Sequence, residues 1–514
     1  MKTTLALISL LIILSACAVN PVTGKNELSW ISEAEQIRIG ELQYGPSQQS
    51  QGGVYLADPE ITQYVNEVGQ AIAKFAPVDL PWEFIVLNND TPNAWALPGG
   101  KIAINRGLLL ALNNEAELAA VLSHEVVHAA AKHSAQSMQR NTITQGLLAA
   151  TAIAVAHTDY KEYANYVVGG AQLGVQLIST KYGRSAELES DYYGIQYMNK
   201  AGYNPEAAVS LQETFVRLSS NKKSNWLSGL FASHPPSVER VNTNKATIAA
   251  LESTKATELF AQRYRSKMTH LLNTKPAYEY ANKARTLASD GEYESALKAL
   301  NKAIQLEPQE SSFHGERGSI YFQTKQYGKA DQAFSSALAL NDNCFEYYLG
   351  RGLARNQQGK HQAARQDLER SIALLPTASA NKNLGEMALA GGDRSSAKRF
   401  FQLAMGAQGP LGDYAKLAYL KLDIQDHPTH YISVELRPSP KGQILIVVTN
   451  RASLDIMSLK LEVNALVGQQ KVSRTLGIQK LYAKTAKQYA SAWYISESTE
   501  AQIQGINISA VKLN

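Results

Sequence analysis

The sequence predicts an α+β fold: a mainly helical domain with a short sheet, then an α-solenoid of repeats, then a C-terminal all-β sandwich. Three observations predict it. The segment His124-Glu125-Val126-Val127-His128 stands in a long apolar run of helical character. Small residues recur at a spacing near 34 between about 276 and 410. From 429 to 514 the texture changes to short β-branched and aromatic runs separated by polar turns. At 514 residues the chain is too long for one hydrophobic core, and about three domains are expected. The net charge of +5 is spread along the chain with no polybasic run, which argues against a nucleic-acid partner.

Residues 1–16 read as a targeting segment. Lys2 supplies the positive start, and Leu5 to Leu14 form an apolar stretch too short to span a bilayer comfortably. Leu14-Ser15-Ala16-Cys17 looks like a bacterial lipoprotein cleavage box. That resemblance implies cleavage before Cys17, acylation of that cysteine and a membrane anchor. Ala18 follows where an aspartate would imply inner-membrane retention, so the expected location is the periplasmic face of the outer membrane. Cys344 is the other cysteine, which excludes a disulfide framework.

Residues 17–55 are expected as a tether and leading helix, with 46–53, rich in Gln, Ser and Gly, as loop. Ile61, Val65, Val68 and Ile72 predict a helix over 60–75. Trp82 to Asn88 reads as a strand, and the stretch from Asn93 through Pro98-Gly99-Gly100 to Asn105 as strand, turn and strand. A helix capped by Asn113 or Asn114 then runs through both histidines. Residues 143–156 and 167–178 are almost wholly apolar but each falls short of a membrane span. Buried helices are expected there, and a transmembrane hairpin is the alternative.

Beyond a linker helix over 251–275, Ala296, Ala330, Ala364 and Ala397 are spaced 34, 34 and 33 residues apart. Ala303, Ala337, Ser371 and Ala404 keep that spacing, as do Ala284, Gly318, Gly352 and Gly385, while Tyr293, Tyr327 and His361 add a fourth register. This pattern over 276–410 resembles tetratricopeptide (TPR) repeats, in which small residues let paired helices approach closely, and implies a protein partner or substrate. A linker over 411–428 leads to the 429–514 domain. Its strands are read at Ile432–Leu436, Gln443–Val448, Leu459–Val467, Tyr489–Ile495 and Ile506–Leu513.

The chemistry concentrates in two segments. His124 and His128, at i and i+4, project from one helix face, the spacing of two zinc ligands, with Glu125 able to reach a metal-bound water. A catalytic zinc usually needs a third protein ligand. Glu187 and Asp191 share a helix face in the same way, and spacing alone does not choose between Glu187 and Glu189. His133, His157, His270, His314, His361, His427 and His430 show no ligand spacing and are assigned to structure.

Here the chain resembles the HtpX-like and CAAX-prenyl-protease-like zinc metallopeptidases, in which an R-x-x-E-x-x-x-D segment follows the HExxH helix. Arg184, Glu187 and Asp191 match position for position. The resemblance makes Glu187 the third ligand of one Zn²⁺ per chain, and Arg184 and Asp191 residues that support the ligands. It extends to His234-Pro235 and Arg240. His234 is then a donor to the tetrahedral oxyanion or a resting-state fourth ligand, against the bland reading of a turn histidine. Arg240 holds the loop or contacts the oxyanion. Asn93, Ala94, Trp95 and Ala96 match the edge strand beside the active site, where extended peptide is bound by strand addition. Together with the lipoprotein signal and the repeats, the set most resembles the BepA-like periplasmic peptidases; the β-rich tail lies outside that resemblance.

The expected 56–250 domain is therefore a zinc metalloendopeptidase, with Glu125 as general base and proton carrier to the leaving amine. By resemblance, its substrates are misfolded or stalled envelope proteins. The alternative is a non-enzymatic TPR chaperone or scaffold with a plugged or vestigial metal site, against which the intact Glu125 argues.

Overall fold

A computed structural model describes residues 17–28, 31–137, 182–220, 233–252, 255–495 and 500–513. The expected signal segment, the apolar runs 143–156 and 167–178, and His157 lie outside the described residues. No helix among the described residues is long and apolar enough to cross a membrane. Two compact units are present, 1–376 and 377–514.

The first unit opens with a two-stranded antiparallel hairpin, β1 (Cys17–Val19) and β2 (Asn26–Leu28). The helix Glu33–Ser50 follows, N-capped by Ser32. It overrides the loop expected over 46–53, because its last turn is held by tertiary contacts despite Pro46. Gln49 donates to the Asn343 carbonyl at 2.7 Å and accepts from the Phe345 amide at 2.9 Å. The expected tether is thus docked on the body of the unit.

A three-stranded sheet has the order β3 (Glu83–Leu87), β5 (Lys101–Asn105), β4 (Ala94–Leu97), with β3 parallel and β4 antiparallel to β5. The expected hairpin turn falls at Pro98-Gly99-Gly100. Gly99 sits at φ +79, and any side chain there would strike the backbone of Ile37 in the leading helix, so only glycine fits. The helix Pro59–Ala73 covers one face of the sheet through Val65, Val68 and Ile72. One apolar core then continues through Glu115–Ala130 into the helices Thr269–Ser289, Tyr293–Leu306 and Ser311–Gln323.

Helix pairs make up the repeats: Thr269–Ser289 with Tyr293–Leu306, then pairs over 311–340 and 345–374 in the first unit, and one over 378–404 in the second. The small-residue register has a direct cause. A Cβ on Gly318 would meet the Phe334 ring at 3.0 Å, and one on Gly352 would meet Leu368 at 3.0 Å. In the second unit Gly385 faces Phe401 in the same way, at 2.8 Å. The expected linker 411–428 is instead mostly the helix Pro410–Asp426, which buries Ala415, Tyr419 and Leu422 on one face.

Two open antiparallel sheets complete the second unit. One has the order β10 (Ala486–Tyr494), β7 (Gln443–Asn450), β6 (Ile432–Pro438); the other β11 (Ala501–Leu513), β8 (Ile456–Val467), β9 (Gln470–Ile478). They share one core around Ile446, Val448, Leu461, Val463 and Trp493, the expected sandwich. Strand β9 went unpredicted because it is an edge strand whose side chains are mostly exposed.

Candidate metal centre

The helix Glu115–Ala130 is buried along its whole length. Asn114 caps it by accepting from the Glu117 amide at 2.9 Å, and Glu117 returns to the Asn113 amide at 2.8 Å. Glu115 anchors the same end, accepting from Tyr64 at 2.8 Å, Tyr203 at 2.9 Å and Arg263. The helix Arg184–Lys200 packs across it at Gly194, where a Cβ would lie 3.2 Å from Ser123 Oγ and 3.3 Å from the His124 amide nitrogen. This close approach lays Glu187 and Asp191 against the two histidines.

Single ligand-type atoms of His124, His128, Glu187 and His234 lie within 4.8 Å of one another. His128 Nε2 is 3.0 Å from His124 Nε2, and His234 Nδ1 is 3.3 Å from His124 Nε2 and 3.0 Å from Glu187 Oε1. Glu187 also stands 3.5 Å from the Nε2 of both His124 and His128. Three imidazoles and a carboxylate that converge away from water repel one another unless a cation or protons lie between them, and this donor set suits a divalent metal ion.

Behind the donors, His124 Nδ1 meets Asp191 Oδ1 at 2.9 Å, and Arg240 donates to both oxygens of Asp191 at 2.7 Å. Arg240 Nη1 also reaches Glu187 at 2.7 Å and the Pro235 carbonyl at 3.3 Å, so this buried guanidinium holds two carboxylates and the His234 loop. Arg184 lies elsewhere than expected. It is exposed and pairs with Glu239, because its place at the start of its helix points it to solvent and leaves the supporting role to Arg240.

The electrostatics follow from burial and these partners. Burial opposes protonation of His124, but Asp191 and Glu187 outweigh it and lift the imidazole to about 9. Burial holds His128 well below the usual histidine range. Glu187 overcomes its burial through His234, His124 and His128 and stays well below the carboxylate range; Asp191 is lowered against its burial through Arg240. Burial raises Glu125 against the pull of His234 and His124. Its Oε1 stands 3.5 Å from His234 Nε2, and its Oε2 is buried with no hydrogen-bond donor among the described residues. A carboxylate with one oxygen so placed beside the ligand-type atoms can accept a proton there.

Of the edge strand, Asn93 accepts from the Asn105 amide at 2.8 Å, so alternation turns the backbone groups of Ala94 and Ala96 away from β5. The Ala96 carbonyl accepts from Ser134 Oγ at 3.1 Å, and Tyr182 donates to that Oγ at 2.8 Å. Trp95 turns to the opposite face of the sheet from Ala94 and Ala96 and packs edge-on against Tyr44.

Two residues at the centre escape sequence reasoning. Tyr182 stacks on His128 with ring centroids 3.9 Å apart. His133, assigned above to structure, brings Nδ1 to 2.9 Å from His128 Nδ1. Its spacing of five from His128 is not a helical neighbour spacing. The chain breaks the helix at Ala130 and turns back through Lys132 at φ 63. An αL turn at lysine leaves no signature in sequence.

Residues 58–248 match Peptidase family M48, and residues 282–343 and 326–379 match the tetratricopeptide repeat. The chain is 27% identical over 325 residues to the beta-barrel assembly-enhancing protease of Escherichia coli O157:H7, covering 62% of this chain and 59% of that protein. It is 34% identical over 182 residues to the mitochondrial metalloendopeptidase OMA1 of Schizosaccharomyces pombe, covering 35% of this chain and 51% of that protein. The chain thus spans under two thirds of the length of these relatives. Among solved structures, the first TPR domain of human RPAP3 is 27% identical over 24% of this chain and 96% of that chain, with a TM-score of 0.23.

Proposed function

We propose that this chain, which joins a Peptidase M48 domain to TPR repeats and is homologous to the beta-barrel assembly-enhancing protease, is a zinc-dependent endopeptidase of the bacterial cell envelope. The observation that carries the reading is the convergence of His124, His128, Glu187 and His234 with Glu125 alongside. His124, His128 and Glu187 would hold the zinc, which lowers the pKa of a bound water and polarises a scissile carbonyl. Glu125 takes a proton from the attacking water and delivers it to the leaving amine. Asp191 and Arg240 keep His124 and Glu187 in place. Extended peptide adds along the edge strand Asn93–Ala96. The substrates are misfolded or stalled envelope and outer-membrane proteins, the repeats recruit substrate or partner, and acylated Cys17 holds the protein at the membrane.

One observation favours a second reading. His234 Nδ1 stands among the donors, so four protein ligands would close the site in the manner of a structural zinc. In the peptidase reading His234 leaves before substrate binds and then serves the oxyanion; in the alternative it plugs the site of a non-enzymatic chaperone. Metal analysis with casein digestion separates them. We expect one zinc per chain and hydrolysis by the wild type, with Glu125→Gln keeping the zinc and losing orders of magnitude in rate. Zinc binding without digestion by the wild type and by His234→Ala would establish the chaperone.

A further inference from the structure

We propose that His133 and Glu189 are positioning residues that fix the tautomer and ring orientation of His128, and that the N-terminal hairpin strengthens this support through Asn20. The proposal rests on the reading that His128 is a zinc ligand. His128 directs Nε2 toward His124 and Glu187, and its Nδ1 faces His133 Nδ1 at 2.9 Å. Two imidazole nitrogens at that distance share a single proton. With Nε2 given to a metal, His128 keeps its proton on Nδ1 and donates it. His133 Nδ1 then accepts, which leaves the His133 proton on Nε2, 3.2 Å from Glu189 Oε1. A carboxylate only accepts, so Glu189 sets the direction of the whole chain. Metal-bound histidines are generally held in one tautomer by such a partner on the other nitrogen. Here an imidazole is interposed between ligand and carboxylate, whereas His124 meets its carboxylate, Asp191, directly.

Glu189 is held in turn from the hairpin. Asn20, 2% exposed, donates through Nδ2 to Glu189 Oε1 at 3.2 Å and to Glu27 Oε1 at 3.1 Å. Its Oδ1 accepts from the Val22 amide at 2.9 Å, so the amide cannot turn over without losing the hairpin turn. The second oxygen of Glu27 accepts from Gln136, three residues beyond His133. The hairpin that begins at Cys17 is therefore wired to a candidate zinc ligand through three side chains, Asn20, Glu189 and His133.

Two measurements on the full chain test this. The first is zinc affinity by chelator competition. His133→Phe and Glu189→Leu remove an acceptor and should weaken binding about 10–100-fold. Asn20→Ala should weaken it by a smaller factor. Glu189→Gln, which keeps an acceptor for His133 Nε2–H, should restore most of the loss seen in Glu189→Leu, a rescue that mere packing would not produce. The second measurement, on the wild type, reads histidine tautomers by nitrogen-15 spectroscopy of the zinc form. The proton of His133 is expected on Nε2, and a proton on Nδ1 overturns the proposal even if His133→Phe fails to fold. Unchanged affinity in folded His133→Phe and Glu189→Leu overturns the proposal alone. A wild-type chain that takes up no zinc overturns it together with the reading of the site.

Discussion

The carboxylate of Glu187 is buried against three imidazoles and Arg240, and its charge is what the arrangement is built around. Glu187→Gln keeps the shape and removes the charge, leaving Arg240 short of a partner. Zinc affinity should fall by more than about 100-fold, beyond the usual loss for an outer-sphere change, as read by equilibrium dialysis. At this scale much of the centre was legible. The i, i+4 pairs His124/His128 and Glu187/Asp191 announce their faces because helix geometry fixes them. The placing of His133 and Tyr182 was not, because an αL turn and the chain just before the helix at Arg184 bring them in. The choice of Arg240 over Arg184 depends on where each helix starts.

The repeat turns show a regularity of their own. Gly291, Lys325, Gly359 and Gly392 fall 34, 34 and 33 residues apart, and each occupies the left-handed region, with φ between 59 and 82. At each, the following amide bonds back across the helix end, as Gly392 and Asp393 do to Leu389 and Ala388. Lysine pays a steric cost in this conformation that glycine avoids. Lys325→Gly should therefore stabilise the protein by about 0.5–1 kcal/mol, measured by urea unfolding. The repeat period was readable because small residues mark helix contacts, and these glycines carry the same period. Strand β9 and the helix Pro410–Asp426 were not readable as such. The first is an exposed edge, and the second was hidden by its expected place between domains.

At the scale of the molecule, one core joins the candidate peptidase to the first repeats. Tyr278 donates to Glu310 at 2.7 Å and Asn88 donates to the same carboxylate at 2.8 Å, while Arg106 stacks on the Tyr278 ring at 3.6 Å. A chain ending at 275 loses Ala277, Tyr278 and Ala281 from that core, whereas one ending at 376 keeps the whole unit. The longer chain should melt cooperatively in calorimetry and the shorter should not. Near the same junction burial lifts Glu316 to about 7, against the pull of Arg285. The folded state then binds a proton that the unfolded state has lost between about 4.5 and 7. The stability from this group is fully present below about 4.5 and lost as pH rises through about 7, on the order of 1–3 kcal/mol in all. Glu316→Gln should remove that slope from a plot of melting temperature against pH.

The sequence by itself determined the order of elements, the repeat period and the pairs of residues that share a helix face. Each is set by local geometry, 3.6 residues to a turn or two to a strand, which a one-dimensional pattern records. Only the tertiary structure decided what those faces meet. It brought Glu187 and His234, 47 positions apart in sequence, to within 3.0 Å. It folded His133 back behind His128 and turned an expected tether into a hairpin linked to the centre through Asn20. These outcomes depend on close packing between distant segments, where a glycine such as Gly194 decides how near two helices come, and no local pattern encodes the partner.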